Sequence, residues 1–210
     1  MIGEAAGAPG RGVLGSLGMD TARPDTVRLA ALAESIRTCT DCRLGHGRIL
    51  AVPGEGAMRL GAMLIGEAPG QMEDETGRPF VGRSGRLLDA ILEQAGADRD
   101  DFFITSAAKC RPPGNRNPRT DEIAACNRWL TAQIEALDPA VLVVMGLVAA
   151  RAVLGEKSPL KDLRGRQLRG PGGRPAVVTY HPSAALRFTK ARAALGEDLA
   201  ALVAQSAAGR

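Results

Sequence analysis

The chain has 210 residues, 45% hydrophobic but only 3% aromatic, with a formal net charge of +4 and a pI near 9.2. One domain of that size can bury its own core, here built on Ala, Leu and Val, and the mild basicity admits a polyanionic partner without requiring one. No apolar run approaches the roughly 20 residues that span a bilayer and no secretory signal opens the sequence, so a cytoplasmic protein with no membrane partner is expected.

Residues 1–25 are rich in Gly, Ala and Pro without apolar periodicity and read as a flexible tail; residues 26–208 read as one domain. Thr26 is positioned to cap a helix whose apolar face carries Val27, Leu29, Leu32 and Ile36 and which ends near Cys39 and Cys42. Beyond it, Ala62 to Gly66, Phe102 to Ser106, Ala140 to Gly146 and Ala176 to His181 read as four buried strands. Helices are expected at Ser84 to Ala95, Thr120 to Leu137, Leu147 to Leu154 and Lys190 to Ala204. Strands alternating with helices predict an α/β fold whose mainly parallel, four-stranded sheet is covered on both faces. Ligands bind such sheets beyond the carboxyl ends of the strands, where Gly66 to Gly70, Ser106 and His181 fall.

The four cysteines are a C-x-x-C pair, Cys39 and Cys42, and two distant thiols, Cys110 and Cys126. A secreted disulfide scaffold would be shorter and richer in cysteine, so a metal centre is the better reading; thiolates suit both zinc and iron–sulfur clusters. The segment from Gly66 to Gly85, GEAPGQMEDETGRPFVGRSG, is a Gly- and Pro-bent loop whose backbone can approach a ligand closely. It has neither the Lys-Ser/Thr pair of a P-loop nor G-x-G-x-x-G, and Glu73 to Glu75 read as an acidic surface stretch. Lys109, Arg111, Arg116 and Arg119 cluster around PPGNRNP and would face phosphate if DNA crosses there. Arg164, Arg166, Arg169 and Arg174 form a second basic stretch, a hairpin or a DNA contact.

GEAPGQMEDETGRPFVG from Gly66, KCRPPGNRNP from Lys109 to Pro118, the HPS of His181 to Ser183 and the four cysteine positions together resemble the uracil-DNA glycosylase superfamily, most of all its iron–sulfur family 4. The resemblance implies a three-layer α/β/α sandwich and a [4Fe–4S] cluster on Cys39, Cys42, Cys110 and Cys126. It implies a monomeric, monofunctional enzyme that flips uracil out of DNA and hydrolyses its bond to deoxyribose. Glu67 and His181 would be catalytic, the first stabilising an oxocarbenium-like sugar and the second donating to uracil O2. Gly66, Ala68, Gly70, Phe80 and Ser106 would complete the base pocket, with Phe80 as the stacking aromatic. Ser84, Arg116, Ser183, Leu186 and Arg187 would meet DNA, with Leu186 or Ala185 as the wedge that fills the vacated stack.

Two positions depart from the family pattern. Gly70 stands where other branches carry the bulky aromatic that excludes thymine, and Ser106 stands where Asn commonly pairs with both O4 and N3–H of uracil. The second departure leaves open a glycosylase for another deaminated base, hypoxanthine or xanthine; a non-catalytic protein that keeps the fold and cluster and binds DNA lesions is a separate alternative.

Overall fold

The computed structural model describes residues 25–208, so the expected tail, apart from Asp25, lies outside the described residues. Helix α1 (Thr26–Thr38) is capped by Asp25, whose carboxylate accepts the Arg28 N–H at 2.8 Å; Thr26, the expected cap, is instead its first helical residue. A short α2 (Arg43–Gly47), not foreseen from the sequence, starts directly after Cys42.

The sheet comprises β1 (Ala62–Gly66), β2 (Phe102–Ser106), β3 (Val141–Met145), β4 (Leu168–Arg169) and β5 (Pro175–Thr179), in the order β2-β1-β3-β5-β4. The expectation of four strands is corrected to five. β1, β2, β3 and β5 are parallel, while the two-residue β4 pairs antiparallel with β5 and closes the edge as a hairpin. Two residues of Gly-rich sequence carry no legible period, which is why β4 escapes detection. Two arginines of the second basic stretch are engaged within the fold: Arg164 pairs with Asp198 at 2.8 Å and Arg174 with Asp138 at 2.5 Å.

The connecting helices are α3 (Gln71–Thr76), α4 (Arg83–Gln94), α5 (Thr120–Leu137), α6 (Leu147–Leu154), α7 (Leu160–Leu163), α8 (Pro182–Ala185) and α9 (Thr189–Ala208). Successive strand side chains point to opposite faces, and both faces are covered. Ala62, Leu64, Phe102, Ile104, Val141 and Val143 pack with Leu88 and Leu92 of α4 and Leu195 and Leu199 of α9. Met63, Ile65, Phe103, Leu142 and Val144 pack with Leu130 and Ile134 of α5 and Ala149 and Val153 of α6. The layered α/β/α arrangement is therefore as expected. Among the described residues no helix is long and apolar enough to cross a membrane.

The last parallel strand ends at Thr179, two residues short of the expected His181. Pro182 occupies the first turn of α8, where its missing N–H costs nothing, and it biases His181 to the extended conformation of a helix cap.

Candidate active site and thiol cavity

A cleft of about 320 Å³ opens at the carboxyl ends of β1, β2 and β5. Its walls include Glu67, Ala68 and Gly70 from the turn after β1, Phe80 and Ser84 from the bent loop and α4, Ser106 from the end of β2, and Arg116, His181, Ser183 and Arg187. Of the residues that the resemblance implied for base or DNA, Gly66, Leu186 and the alternative wedge Ala185 lie off this lining, as do Lys109, Arg111 and Arg119 of the basic loop and the arginines of the second basic stretch. Gly66 sits directly beneath the aromatic ring: a Cβ there would come within 2.5 Å of Phe80 Cζ. Leu186 stands outside at 43% exposure, whereas Ala185 is buried at 4%.

Phe80 is not the exposed flat face that a loop position suggests. It is only 6% accessible, packs into the core on one side and lines the cleft on the other, with its ring 5.5 Å from that of His181 and tilted by 38°. Its φ of 50° is an uncommon conformation for an aromatic residue and must be held from outside. Arg99 does this, donating to the Pro79 carbonyl at 2.6 Å and the Phe80 carbonyl at 3.0 Å while Asp89 and Glu55 anchor its guanidinium. α4 also approaches so closely that a Cβ on Gly85 would lie 1.8 Å from the Phe80 carbonyl oxygen.

Glu73 and Asp74 overturn the reading of an acidic surface stretch, since they are 7% and 3% exposed. The Glu73 carboxylate accepts three backbone N–H groups, from Gly70 at 3.1 Å, Val81 at 2.9 Å and Gly82 at 2.8 Å, and so closes the loop around the cleft. Asp74 accepts the Ile49 N–H at 3.0 Å. Charge alone suggested solvent; the local demand of backbone donors decided otherwise.

Polar groups aimed into the cleft are left without partners. The Glu67 carboxylate makes no hydrogen bond or ion pair with the described residues, and burial pushes its pKa above the usual carboxylate range. His181 Nδ1 accepts the Ser183 N–H at 3.1 Å and lies 2.8 Å from Ser183 Oγ, so the proton of the neutral ring belongs on Nε2. Nε2 is buried with no partner among the described residues, and burial holds the imidazole down at about 4, keeping it neutral at physiological pH. Ser106 Oγ, at the end of β2, is likewise uncommitted.

The basic residues of the PPGNRNP loop divide. Arg116 forks onto Glu122 at 2.6 and 2.8 Å, and Arg111 is pinned to Asn115 Oδ1 at 2.8 Å. Lys109 cannot face phosphate, because it is 1% exposed and enclosed in the core. Asn115 and Asn117, which the sequence reading passed over, stand exposed on the cleft wall.

Behind β2, Cys39, Cys42, Cys110 and Cys126 line a second cavity together with Ile36, Lys109 and Trp129. Three of the sulfurs face N–H donors: Trp129 Nε1 at 3.3 Å from Cys39, the Lys109 amide at 3.3 Å from Cys126, and Arg48 at 3.6 Å from Cys110. Donors directed at sulfur suit thiolates, and burial otherwise pushes the Cys110 thiol up to about 12, so a thiolate there calls for a cationic centre. Among the described residues no three Cys, His, Asp or Glu side chains form a group that could hold a metal ion. The four thiols nevertheless line one cavity, and thiolate donors of this kind suit both zinc and iron–sulfur clusters. Trp129 was legible only in hindsight: it lies three residues after Cys126 in α5, on the same helical face.

Comparison with known proteins agrees with this geometry. Residues 53–202 match the family model described as the uracil DNA glycosylase superfamily. A type-4 uracil-DNA glycosylase of Pyrobaculum aerophilum is 44% identical over 179 residues, covering 82% of this chain and 91% of that protein. Another type-4 uracil-DNA glycosylase, from Thermotoga maritima, is 42% identical over 157 residues, with 74% and 82% covered. A type-5 uracil-DNA glycosylase of Thermus thermophilus is 34% identical over 151 residues, with 63% and 68% covered. Motifs, fold and extended similarity converge, and the chain belongs to the uracil DNA glycosylase superfamily.

Proposed function

We propose that the protein is a monofunctional uracil-DNA glycosylase of base excision repair, hydrolysing the bond between uracil and deoxyribose in DNA to leave an abasic site. The observation that carries this is a cleft beside an aromatic ring in which a carboxylate, a hydroxyl and a neutral imidazole N–H all lack partners among the described residues. Leaving such groups unpaired costs stability, and a substrate that pairs with them recovers it.

Each group has a task in the reaction. A uracil rotated out of the duplex stacks on Phe80, and its polar edge meets Ser106 and the backbone of the Gly66–Gly70 turn. As the glycosidic bond breaks, negative charge gathers on uracil O2 and positive charge on the sugar. His181 Nε2–H donates to the first; because the ring is already neutral and fixed by Ser183, no reorganisation is needed at that moment. The Glu67 carboxylate faces the second and aligns the attacking water, as glycosidase carboxylates do. Ser84, Arg116, Ser183 and Arg187 border the opening and are assigned to phosphates, and exposed Leu186 suits the wedge better than buried Ala185.

Cys39, Cys42, Cys110 and Cys126 are the residues that would hold a [4Fe–4S] cluster, and a cluster bound there would tie the segment after α1 to the segment after β2 and to α5. The uncommitted Ser106 hydroxyl offers less readout than an amide and favours one second reading, activity on hypoxanthine or xanthine.

Single-turnover assays on oligonucleotides containing uracil, hypoxanthine, xanthine or thymine, followed by alkaline cleavage at abasic sites, test the proposal. Uracil release depressed by both Glu67→Gln and His181→Asn is expected. Release of hypoxanthine or xanthine in preference to uracil would establish the second reading, and tight DNA binding with no base released would overturn catalysis.

A further inference from the structure

The link between α8 and α9 carries two apolar side chains that the fold leaves outside. Leu186 is 43% exposed and Phe188 63%, while Phe80, Phe102 and Phe103 are all buried. Phe188 is the only exposed aromatic among the described residues. Its position is fixed by the backbone. The Leu186 N–H donates to the Pro182 carbonyl at 3.1 Å, the Arg187 and Phe188 N–H groups donate to the Ala184 carbonyl at 3.0 and 2.9 Å, and the Phe188 carbonyl accepts the Arg192 N–H at 3.1 Å. The inward positions on either side are taken by small residues, Ala185 and Ala191, buried at 4% and 3%. A bonded backbone therefore holds the phenyl ring in solvent, where its apolar area gains little from folding.

The surroundings favour one kind of cover. From Pro182 to Gly196 the sequence has three cations, Arg187, Lys190 and Arg192, and no carboxylate. The side chains of these cations are exposed and make no ion pair or hydrogen bond among the described residues. Arg187 lines the base cleft, and Arg192 follows Phe188 by one helical turn on the same face. A flat apolar ring between unpaired cations, continuous with the base cleft, suits single-stranded nucleic acid, whose bases stack on the ring while its phosphates meet the cations. A second copy of this chain suits it less, because a two-fold contact would set the same cations against one another.

We infer that Phe188 is a stacking platform for an unpaired base next to the uracil on the same strand, separate from the Leu186 wedge, and that it gives the enzyme a grip on single-stranded DNA. The inference rests on the glycosylase reading above. The wedge acts within a duplex, where a vacated position must be filled. The ring acts where the neighbouring base is free to leave its stack; in a duplex that base is held by its own pair, and the ring gains less.

Uracil release by the unsubstituted protein from a single-stranded oligonucleotide is measured first. No release would overturn the glycosylase reading itself, whereas the stacking role can fail with release intact. Binding is then read by fluorescence anisotropy on single-stranded and duplex oligonucleotides carrying 2′-deoxy-2′-fluorouridine, which resists hydrolysis because the fluorine opposes positive charge on the sugar. Phe188→Ala should bind the single strand about tenfold more weakly and the duplex more weakly by about threefold or less. Phe188→Leu keeps apolar bulk without a flat face and should behave like Phe188→Ala. Phe188→Trp should keep the affinity, and the single strand should quench its emission beyond any change that Trp129 shows in the unsubstituted protein. Single-strand binding by Phe188→Leu equal to that of the unsubstituted protein would overturn stacking, and equal losses on single strand and duplex in Phe188→Ala would overturn the single-strand role. A dimer in sedimentation velocity that Phe188→Ala disperses would assign the ring to a second copy instead of DNA.

Discussion

The thiol cavity and the base cleft lie on either side of the end of β2, yet they treat polar atoms in opposite ways. Around the cysteines, donors are matched to acceptors: Trp129, Arg48 and the Lys109 amide face sulfur, and Lys109 Nζ has three oxygens within hydrogen-bond distance. In the cleft, Glu67, Ser106 and His181 Nε2 are left open. A region whose polar atoms are satisfied from within serves the fold, whereas one whose atoms are left waiting serves a ligand. Substitutions on the two sides should therefore separate stability from activity.

The largest separation is expected from a pair of single changes. His181→Asn keeps an acceptor for the Ser183 N–H at the start of α8 but withdraws the ring donor from the cleft. Uracil release should fall by about 10²–10³-fold, the usual cost of removing a preorganised donor to a developing anion, with the melting temperature held or raised. Cys110→Ser should do the reverse, with loss of bound iron and a melting temperature lower by about 10 °C or more, as expected when a structural centre worth several kcal/mol is lost from a chain of this size. Thermal unfolding and single-turnover rates measured on the same preparations check both. A His181→Asn protein that melts as early as Cys110→Ser would break the comparison.

Glu67 sharpens it through pH. Burial raises its pKa, so the ionised form that catalysis needs is lost while pH is still above the ordinary carboxylate range. The acid limb of the rate profile should sit there, and it cannot belong to His181, which stays neutral down to about 4. Glu67→Gln should abolish that limb and slow release by about 10²-fold. The sign for stability is opposite. A carboxyl that holds its proton more tightly folded than unfolded loses stability as pH rises through its folded pKa, so Glu67→Gln should melt later than the unsubstituted protein at neutral pH. A rate profile with no acid limb above the ordinary range would remove Glu67 from its assigned role.

A smaller effect is expected at Arg99, which belongs to neither region but supports the cleft from behind. Arg99→Met releases the Pro79 and Phe80 carbonyls and lets the ring leave its left-handed backbone conformation. A loss of about 1–2 kcal/mol of base stacking should appear mainly as a KM raised by about tenfold, with kcat less affected. Steady-state kinetics on a uracil oligonucleotide separate the two.

Arg99 also marks where reading the sequence stops. Strands β1, β2 and β3 and helices α5 and α6 were legible because apolar period and Gly or Pro punctuation act locally. The cysteines, Glu67, Phe80 and His181 were legible because they sit in dense motifs. Arg99 reaches Phe80 across 19 residues of chain, and Glu73 meets donors 8 and 9 residues away; neither partnership leaves a periodic trace. Lys109 was misassigned for the same reason. Next to three arginines it read as part of a basic surface, and only the enclosing Thr105, Ser106 and Gln133 show that it is core.

The smallest effect concerns Ser106, where the two regions touch. Its carbonyl belongs to the satisfied side through Lys109, and its hydroxyl belongs to the open side. Ser106→Asn changes only the second, offering a planar amide that can accept from N3–H and donate to O4 of uracil at once. If the serine hydroxyl now supplies part of that readout, the substitution should improve discrimination of uracil over hypoxanthine by about three- to tenfold, the worth of roughly one net hydrogen bond, without altering iron content. Competition between the two oligonucleotides in one reaction measures the ratio directly. Unchanged discrimination would mean that the backbone of the Gly66–Gly70 turn, rather than the side chain at the end of β2, reads the edge of the base. A fall in iron content would mean that this side chain also supports the thiol side, four residues along the chain from Cys110.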